Sequence, residues 1–342
     1  MNLNKVSIIG SGAWGTAIAL LMCDNGYDVA LWSKFENEAD NLRTTRENPL
    51  LDGVRIPENI SITSDIATAV NGACAAIIAV PSFAVRETTN VLKGLLTDDC
   101  VTICMSKGIE KDTSSLLTGI IKNTLGDKTQ LASVSGPTHA EEVARRIPTA
   151  CVAASDNIAV AERVQSMLMN DYFRVYTSTD VIGVELGAAL KNVIALCAGI
   201  CEGLGFGDNT MAMLMTRGLA EIAELCVRMG GRKETLAGLT GLGDLIVTCI
   251  SRHSRNRRAG VLIGKGLSAQ DAMQKVGAIV EGYYAAKAAW ELSRTMNVDM
   301  PICCEAYKVL HEGKPLETGL KDLMSRRSKS EVSTGEERWV IH

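Results

Sequence analysis

The chain has 342 residues, 46% hydrophobic and 22% charged, which is typical of a soluble globular protein with room for two cores. The net charge of −4 provides no overall positive field, so nucleic-acid binding would need a local basic patch. The apolar stretch ending at Gly10 is too short for a signal peptide, and no run of about 18 apolar residues predicts a membrane span.

The first half of the chain alternates short apolar runs with amphipathic ones. This alternation predicts β-α-β units and a mostly parallel sheet buried on both faces. The predicted strands are residues 6–9, 29–32, 76–80, 101–105, 131–135, 150–154 and 174–176. The predicted helices between them are residues 15–23, 85–96, 114–125 and 160–169. Ligands bind outside the carboxyl ends of such strands, so we expect the chemistry in the turns there.

The pattern changes after Ser178, where strand-like runs almost disappear. The clearest helical segments are residues 180–202, 212–229, 256–264, 269–276 and 283–296. We therefore expect an α/β protein whose residues 1–180 form a Rossmann-type dinucleotide-binding domain and whose residues 181–329 form an all-α substrate domain. Residues 330–342 are polar apart from Trp339, Val340 and Ile341, and we expect a mobile tail there.

A glycine-rich turn follows the first predicted strand and opens the first predicted helix. It has the G-x-G-x-x-G pattern, with Gly10, Ser11, Gly12, Ala13, Trp14 and Gly15. The first glycine permits the turn, the second lets the backbone approach a pyrophosphate, and the third allows close packing of the helix. The free N–H groups of the helix start would then bind the phosphates. The alternative is a purely structural glycine turn.

The residues after the second predicted strand bear on the choice between NADH and NADPH. An acid normally stands there to bind the ribose 2′-hydroxyl, but this strand ends in Ser33 and Lys34, and the first acid is Glu36. A carboxylate would repel a 2′-phosphate, whereas a hydroxyl and an ammonium would attract it. We predict that NADPH is preferred and NADH is usable; the alternative is that Lys34 is a solvated surface lysine.

Lys191 stands inside an apolar predicted helix. Such a lysine either extends to solvent or faces a closed cleft, where desolvation lowers its pKa and lets it exchange a proton. Further along, residues 238–244 form a glycine-rich loop that ends in Asp244. These two segments are candidates for a proton-transfer site.

A polar cluster of Ser254, Arg255 and Asn256 opens a later predicted helix, with Ser254 as its N-cap. Together they can offer a hydroxyl, a guanidinium, an amide and backbone N–H groups to one phosphate. A nucleic-acid role for the arginines here lacks the interleaved aromatic residues that such sites use.

Six blocks in order resemble the NAD(P)-dependent glycerol-3-phosphate dehydrogenases in their bacterial biosynthetic form. The matching blocks are residues 10–15, 106–110, 135–144, 190–195, 241–245 and 254–256, and the resemblance extends over about residues 4–329. It implies interconversion of dihydroxyacetone phosphate and sn-glycerol 3-phosphate with NADPH or NADH, which supplies glycerol 3-phosphate for glycerophospholipid synthesis.

The resemblance also implies site residues. Lys191 would be the catalytic proton donor and acceptor. The implied substrate contacts are Lys107, Gly136, Thr138, Lys191, Asp244, Ser254, Arg255 and Asn256. Besides the glycine turn, Ser33 and Lys34, the expected cofactor contacts are Lys107, Ala140, Arg255, Ile279 and Glu281. His139 is expected to be a cap or a residue at the edge of the site rather than a base.

Two other functions fit part of the pattern. One is a 3-hydroxyacid dehydrogenase of related architecture, but the phosphate cluster at residues 254–256 and the block around Lys107 argue against it. A non-catalytic NADPH-binding redox sensor would need neither lysine nor Asp244. Eleven scattered cysteines without paired C-x-x-C spacing predict reduced, buried thiols in a cytoplasmic protein and no metal site. We expect a homodimer and neither nucleic acid nor membrane as a partner.

Overall fold

A computed structural model describes residues 4–111, 113–328 and 330–331, and its first half contains a sheet of eight strands. The strands are β1 (Lys5–Ile9), β2 (Asp28–Trp32), β3 (Ser61–Thr63), β4 (Ala75–Ile78), β5 (Val101–Cys104), β6 (Leu131–Ser135), β7 (Thr149–Ala154) and β8 (Phe173–Ser178). Their order in the sheet is β3-β2-β1-β4-β5-β6-β7-β8, and β6 with β7 is the one antiparallel pair. The predicted mostly parallel sheet is confirmed.

Within the described residues, seven α-helices accompany the sheet. They are α1 (Ala13–Asp24), α2 (Glu36–Thr45), α3 (Ile66–Val70), α4 (Val85–Leu92), α5 (Leu117–Leu125), α6 (Ala140–Val143) and α7 (Ile158–Leu168). Side chains alternate across the strands, so Ile8 and Ile77 enter one core while Ile9 and Ile78 enter the core on the opposite face. Burial on both faces explains why these strands read as continuous apolar runs.

The second half is helical throughout its described residues, as predicted. Its helices are α8 (Val181–Gly203), α9 (Asp208–Arg228), α10 (Lys233–Leu236), α11 (Asp244–Ile250), α12 (Arg255–Gly264), α13 (Ala269–Val276), α14 (Glu281–Thr295), α15 (Pro301–His311) and α16 (Leu316–Met324). Of the segment 330–342 that we expected to be a tail, all but Ser330 and Glu331 lies outside the described residues.

Helix α8 is the centre of the helical half. Its N-cap is Asp180, whose carboxylate accepts the N–H of Gly183 at 2.9 Å. By length and composition the helix could cross a membrane, but 83% of its apolar window is buried inside the protein. It is therefore the core helix of this half, with its apolar side chains packed on every side.

An apolar cavity of about 360 Å³ lies between α8, α9, α15 and α16. Its lining includes Ile200, Leu214 and Leu320 but neither Lys107, Lys191 nor Asp244. The cavity is therefore separate from the site described below.

Candidate active site

The glycine turn between β1 and α1 is closed on one side and open on the other. Gly10 has a φ of +121°, and a Cβ there would lie 2.8 Å from the Ala79 carbonyl oxygen. A Cβ on Gly15 would lie 1.8 Å from the Gly10 carbonyl oxygen. A Cβ on Gly12, in contrast, would meet no atom of the described residues within 4 Å. The turn thus fits a dinucleotide, because a pyrophosphate can approach the backbone at Gly12.

The start of α1 is also suited to an anion. Gly12 is its N-cap and has no side chain, and no side chain of the described residues caps the helix. The N–H groups of the first turn are therefore available to phosphate oxygens, which the helix dipole also attracts. This arrangement lies at the carboxyl edge of the sheet, beside the point where the strand order reverses between β1 and β4.

The two residues predicted to select NADPH are both engaged in contacts with acids. Ser33 is buried, and its hydroxyl donates to Glu38 Oε2 at 3.1 Å. The Lys34 ammonium binds both carboxylate oxygens of Glu87 at 2.8 and 2.9 Å. Lys34 is therefore not simply solvated. A cofactor 2′-phosphate would have to replace Glu87 in this exposed ion pair, and such pairs contribute little to stability.

One buried carboxylate joins the two lysines that the sequence singled out. Asp244, the first residue of α11, is 2% exposed. Its Oδ2 accepts from Lys107 Nζ at 2.9 Å, and its Oδ1 lies 2.8 Å from Lys191 Nζ. Lys107 follows β5, whereas Lys191 belongs to α8, so this carboxylate connects the sheet to the helical half.

The burial of Lys191 decides between its two interpretations. The residue is 5% exposed, so it faces a closed cleft and does not extend to solvent. Burial lowers the pKa of Lys191 to about 8, Asp244 opposes this, and Lys107 adds to it. Burial alone would raise the pKa of Asp244, but the two ammonium groups hold it below its ordinary value. Lys191 can therefore give up or take a proton near neutral pH.

Thr248 belongs to this cluster and was missed from the sequence. Its hydroxyl accepts from Lys191 Nζ at 2.6 Å and donates to the Asp244 carbonyl oxygen at 2.6 Å. The two contacts fix the direction of the lysine ammonium. The signal that could have found Thr248 is its position four residues after Asp244, which places both on one face of a helix.

Lys107 also holds the turn that follows β6. Its Nζ donates to the Gly136 carbonyl oxygen at 2.8 Å and to Thr138 Oγ1 at 3.2 Å. Gly136 has a φ of +152°, and a Cβ there would lie 2.8 Å from the Cys151 Cα, so only glycine fits. The structure thus brings together five of the predicted substrate contacts, namely Lys107, Gly136, Thr138, Lys191 and Asp244.

His139 occupies the N-cap position of α6, as expected, but its side chain does not cap the helix. Its Nε2 is buried and has no hydrogen-bond partner within the described part of the chain. Burial lowers the pKa of His139, and Lys107 and Lys191 add to this, so the ring is neutral at pH 7. It lies at the edge of the site.

The predicted phosphate cluster starts α12 as expected. Ser254 is the N-cap, and its Oγ accepts the N–H of Arg257 at 3.2 Å. Asn256 is buried and ties helices together, because its Nδ2 donates to Asn192 Oδ1 at 2.9 Å and its Oδ1 accepts from the Gly282 N–H at 2.8 Å. Arg255 is exposed at the first position of the helix.

Glu281 begins α14 and contacts the loop after β4. Its Oε2 accepts from Ser82 Oγ at 2.7 Å and its Oε1 from the Ser82 N–H at 3.3 Å. Burial raises the pKa of Glu281, while Ser82 and the charge of Arg255 oppose it. Two other predicted cofactor contacts, Ile279 and Ala140, are partly buried residues at or near the starts of α14 and α6. The structure joins Glu281 to the sheet edge but places neither of these two in the hydrogen-bonded cluster.

The glycine turn and the lysine cluster are neighbours. Trp14 Nε1, inside the turn, donates to the carbonyl oxygen of Met105 at 3.2 Å, two residues before Lys107. Within the described residues, no group of three or more histidine, cysteine or acidic side chains could hold a metal ion. A dinucleotide-binding sheet edge thus lies beside a buried cluster of two lysines and a carboxylate, to which the helical second half contributes Lys191 and Asp244. This combination defines the class of nicotinamide-dependent dehydrogenases.

Comparison with known proteins gives the family. The family model described as NAD-dependent glycerol-3-phosphate dehydrogenase N-terminus matches residues 5–161, and its C-terminus counterpart matches residues 180–321. The chain belongs to the NAD-dependent glycerol-3-phosphate dehydrogenase family. The predicted resemblance is therefore confirmed.

Individual relatives agree with the family. The chain is 46% identical over 330 residues to a glycerol-3-phosphate dehydrogenase [NAD(P)+] of Clostridium perfringens, covering 96% of this chain and 99% of the relative. It is 48% identical over 328 residues to the protein of that name from Thermoanaerobacter, with 96% and 99% covered. The crystal structure of glycerol-3-phosphate dehydrogenase from Coxiella burnetii superposes with a TM-score of 0.90 at 35% identity, covering 95% and 99%.

Proposed function

We propose that the protein interconverts dihydroxyacetone phosphate and sn-glycerol 3-phosphate with NADPH or NADH, and thereby supplies glycerol 3-phosphate for glycerophospholipid synthesis. The observation that carries the proposal is the bridge in which Asp244 holds Lys107 at 2.9 Å and Lys191 at 2.8 Å beside the glycine turn. The name shared by the relatives supports the choice of substrate.

A nicotinamide cofactor held by the glycine turn would supply or accept the hydride at the carbon that carries the reacting oxygen. During reduction, negative charge develops on the substrate carbonyl oxygen, and the Lys191 ammonium stabilises that charge and donates the proton that completes the hydroxyl group. During oxidation, neutral Lys191 accepts the proton of the same hydroxyl. Asp244 and Thr248 hold the Lys191 ammonium in one direction, so the same orientation serves proton donation during reduction and proton acceptance during oxidation.

The substrate phosphate has a separate set of ligands in this proposal. Ser254, Arg255 and Asn256 start α12, and Asn256 is bonded to Asn192, the neighbour of Lys191. The exposed Arg255 guanidinium and the first-turn N–H groups of α12 favour an anion at this position. Lys107, Gly136 and Thr138 would contact the remainder of the substrate.

The cofactor would bind along the carboxyl edge of the sheet. The glycine turn from Gly10 to Gly15 would hold the pyrophosphate, and Ser33 with Lys34 would lie at the ribose 2′-position. Lys107, Ala140, Arg255, Ile279 and Glu281 would complete the contacts. We retain the preference for NADPH, because the exposed Lys34–Glu87 pair is weak enough to exchange Glu87 for a 2′-phosphate. Steady-state titrations with NADPH and NADH would test this preference, and a lower KM for NADH would refute it.

The chain would be organised as two domains. Residues 1–180 would be the dinucleotide-binding domain and residues 181–329 the substrate domain, since the last strand ends at Ser178 and α8 begins at Val181. We also propose a cytoplasmic homodimer. The eleven free cysteines support a reducing compartment. Sedimentation velocity would test the dimer.

The decisive experiment adds dihydroxyacetone phosphate to the purified protein and NADPH, and follows the loss of NADPH absorbance. We expect turnover with dihydroxyacetone phosphate and none with the NADP+/hydroxyisobutyrate pair. Turnover with hydroxyisobutyrate alone would identify a 3-hydroxyacid dehydrogenase. Tight NADPH binding with no turnover of either substrate would indicate a redox sensor.

A further inference from the structure

Asn48 lies in the loop between α2 and β3, which spans residues 46–60. It is 4% exposed although it is a polar residue in a loop. The loop is anchored by Leu51, Ile56 and Ile60, which are buried in the core on the α1 side of the sheet. A buried amide on a firmly packed loop can hold its hydrogen-bond partners in fixed positions.

The Asn48 amide is directed at the glycine turn. Its Nδ2 donates to the carbonyl oxygen of Ser11 at 2.9 Å and to Thr16 Oγ1 at 2.6 Å. Its Oδ1 accepts the N–H of Leu50 at 2.9 Å, which fixes which end of the amide faces the turn. The Thr16 hydroxyl is itself 3.4 Å from the Ser11 carbonyl oxygen, and Thr16 is fully buried.

These contacts determine the direction of one peptide group. A trans peptide is planar, with its C=O and N–H pointing in opposite directions. Because Asn48 and Thr16 bind the Ser11 carbonyl on one side, the Gly12 N–H is turned to the other side. A Cβ on Gly12 would meet no atom of the described residues within 4 Å, so this residue has open space beside it.

We propose that Asn48 is a positioning residue of the cofactor site, which fixes the Ser11–Gly12 peptide so that the Gly12 N–H donates to the cofactor pyrophosphate. This inference rests on the proposed function only in taking NADPH as the ligand of the turn. Without the amide, the Ser11 carbonyl keeps only the long 3.4 Å contact with the Thr16 hydroxyl, so the peptide can rotate toward the open side. A carbonyl oxygen would then face the phosphates in place of an N–H donor.

The test is Asn48→Leu, a neutral change of similar size that removes both donors without adding charge near the pyrophosphate. Fluorescence titration should show a Kd for NADPH raised by about tenfold, the effect of losing one well-placed hydrogen bond. The kcat at saturating NADPH should stay within about twofold, and the KM for dihydroxyacetone phosphate should not change. The matched control is Asn59→Leu on the same loop, where the exposed Asn59 amide contacts Cys23 Sγ; its Kd should equal that of the parent protein.

An unchanged Kd for NADPH in folded Asn48→Leu protein would overturn the inference, as would a kcat that falls as far as the affinity. If that variant does not fold, Asn48→Ala removes the same donor with a smaller side chain and should still weaken NADPH binding; normal affinity would again overturn the inference. Absence of turnover in the parent protein, with NADPH bound normally, would instead count against the proposed function.

Discussion

Asp244 binds two ammonium groups with one carboxylate, and this arrangement decides which lysine can exchange a proton. Lys191 is 5% exposed and buried in α8, whereas the Lys107 side chain is 21% exposed and has two further acceptors in the turn after β6. Lys191 is therefore the more buried of the two, and burial lowers its pKa. We therefore propose that Lys191 transfers the proton, while Lys107 holds the turn and contacts the substrate.

Replacing Lys191 by alanine should abolish most of the catalysis and leave the cofactor site intact. General acid catalysis contributes about 10²–10⁴-fold, so kcat for reduction should fall by about that factor. The Kd for NADPH should stay within about threefold, because the glycine turn is untouched. The control is Lys287→Ala on α14, where the lysine is paired with Glu291 at 3.7 Å. Near-normal turnover of the Lys191 variant would remove it from its role.

The pH dependence should have opposite signs in the two directions. Reduction needs protonated Lys191, so kcat/KM for dihydroxyacetone phosphate should fall as the pH rises through about 8. Oxidation needs neutral Lys191, so kcat/KM for glycerol 3-phosphate should rise over the same range. The substrate phosphate titrates at about pH 6, so the pH dependence of the rate above neutral pH reports on the protein.

The Asp244→Asn variant tests the cause of that pH dependence. The Asp244 carboxylate raises the pKa of Lys191 against the effect of burial. Removing the carboxylate should therefore lower the pKa of Lys191, so that kcat/KM for reduction begins to fall at a lower pH. The maximum rate should also decrease. Matched kinetic profiles of the two proteins would measure the shift, and a limb that stays in place or moves upward would contradict this account.

Without the family resemblance, single residues were predictable from the sequence mainly where the backbone decides their role. The G-x-G-x-x-G spacing predicts a turn that the structure contains, because contacts within the turn exclude side chains at Gly10 and Gly15. The apolar neighbours of Lys191 fit a buried lysine and a solvent-directed one equally well. Its burial depends on α11 and α12 packing against α8, which no local pattern reveals. The contact of Ser33 with Glu38 is likewise hidden.

At the scale of elements, the crossing of α8 and α12 places the proposed phosphate ligands beside Lys191. Glycines allow the backbones of the two helices to come into direct contact. A Cβ on Gly199 would lie 2.1 Å from the Arg257 carbonyl oxygen, and a Cβ on Gly260 would lie 2.1 Å from the Leu196 carbonyl oxygen. Asn192 pairs with Asn256 at the other end of the same contact. The helices therefore run parallel, with the start of α12 next to the lysine.

Gly260→Ala should disrupt this crossing. The new methyl group would meet the carbonyl of Leu196, which is backbone and cannot move aside, so we expect a loss of about 1–3 kcal/mol in the free energy of unfolding, measured in urea. Gly119→Ala is the control, since a Cβ at this exposed position of α5 meets no described atom within 4 Å. It should stabilise the protein by about 0.5–1 kcal/mol. Equal urea midpoints for the two variants would refute the close crossing.

The long elements were predictable, and the exceptions have physical reasons. All seven predicted strands exist, but β3 was missed because Ser61–Thr63 is too short to show a pattern. Helix α2 was missed because it is polar, with only Ala39 and Leu42 buried. The antiparallel pairing of β6 with β7 depends on which strands meet in the sheet, and the apolar content of a strand does not encode that.

At the scale of the whole molecule, the sheet and the helical half share more than one contact. Ile109 lies in the core of the helical half although it follows β5, and Leu116 packs against the same core. The Thr118 N–H, at the start of α5, donates to the buried Glu185 carboxylate of α8 at 3.1 Å. Apolar and polar contacts together make the two proposed domains one packed body rather than two linked units.

This packing predicts that the cofactor stabilises both halves, although we propose that it binds mainly to the sheet edge. A ligand present at a hundredfold excess over its Kd reduces the population of the unfolded chain by about a hundredfold. If the two halves unfold together, NADPH should slow hydrogen exchange of the slowest-exchanging amides of α8 and α14 by the same factor as those of β1 and β4. Hydrogen exchange followed by mass spectrometry, with and without NADPH, would measure both sets in one sample. Slower exchange confined to the strands would show that the helical half opens on its own, and the shared core around Ile109 would then not couple them.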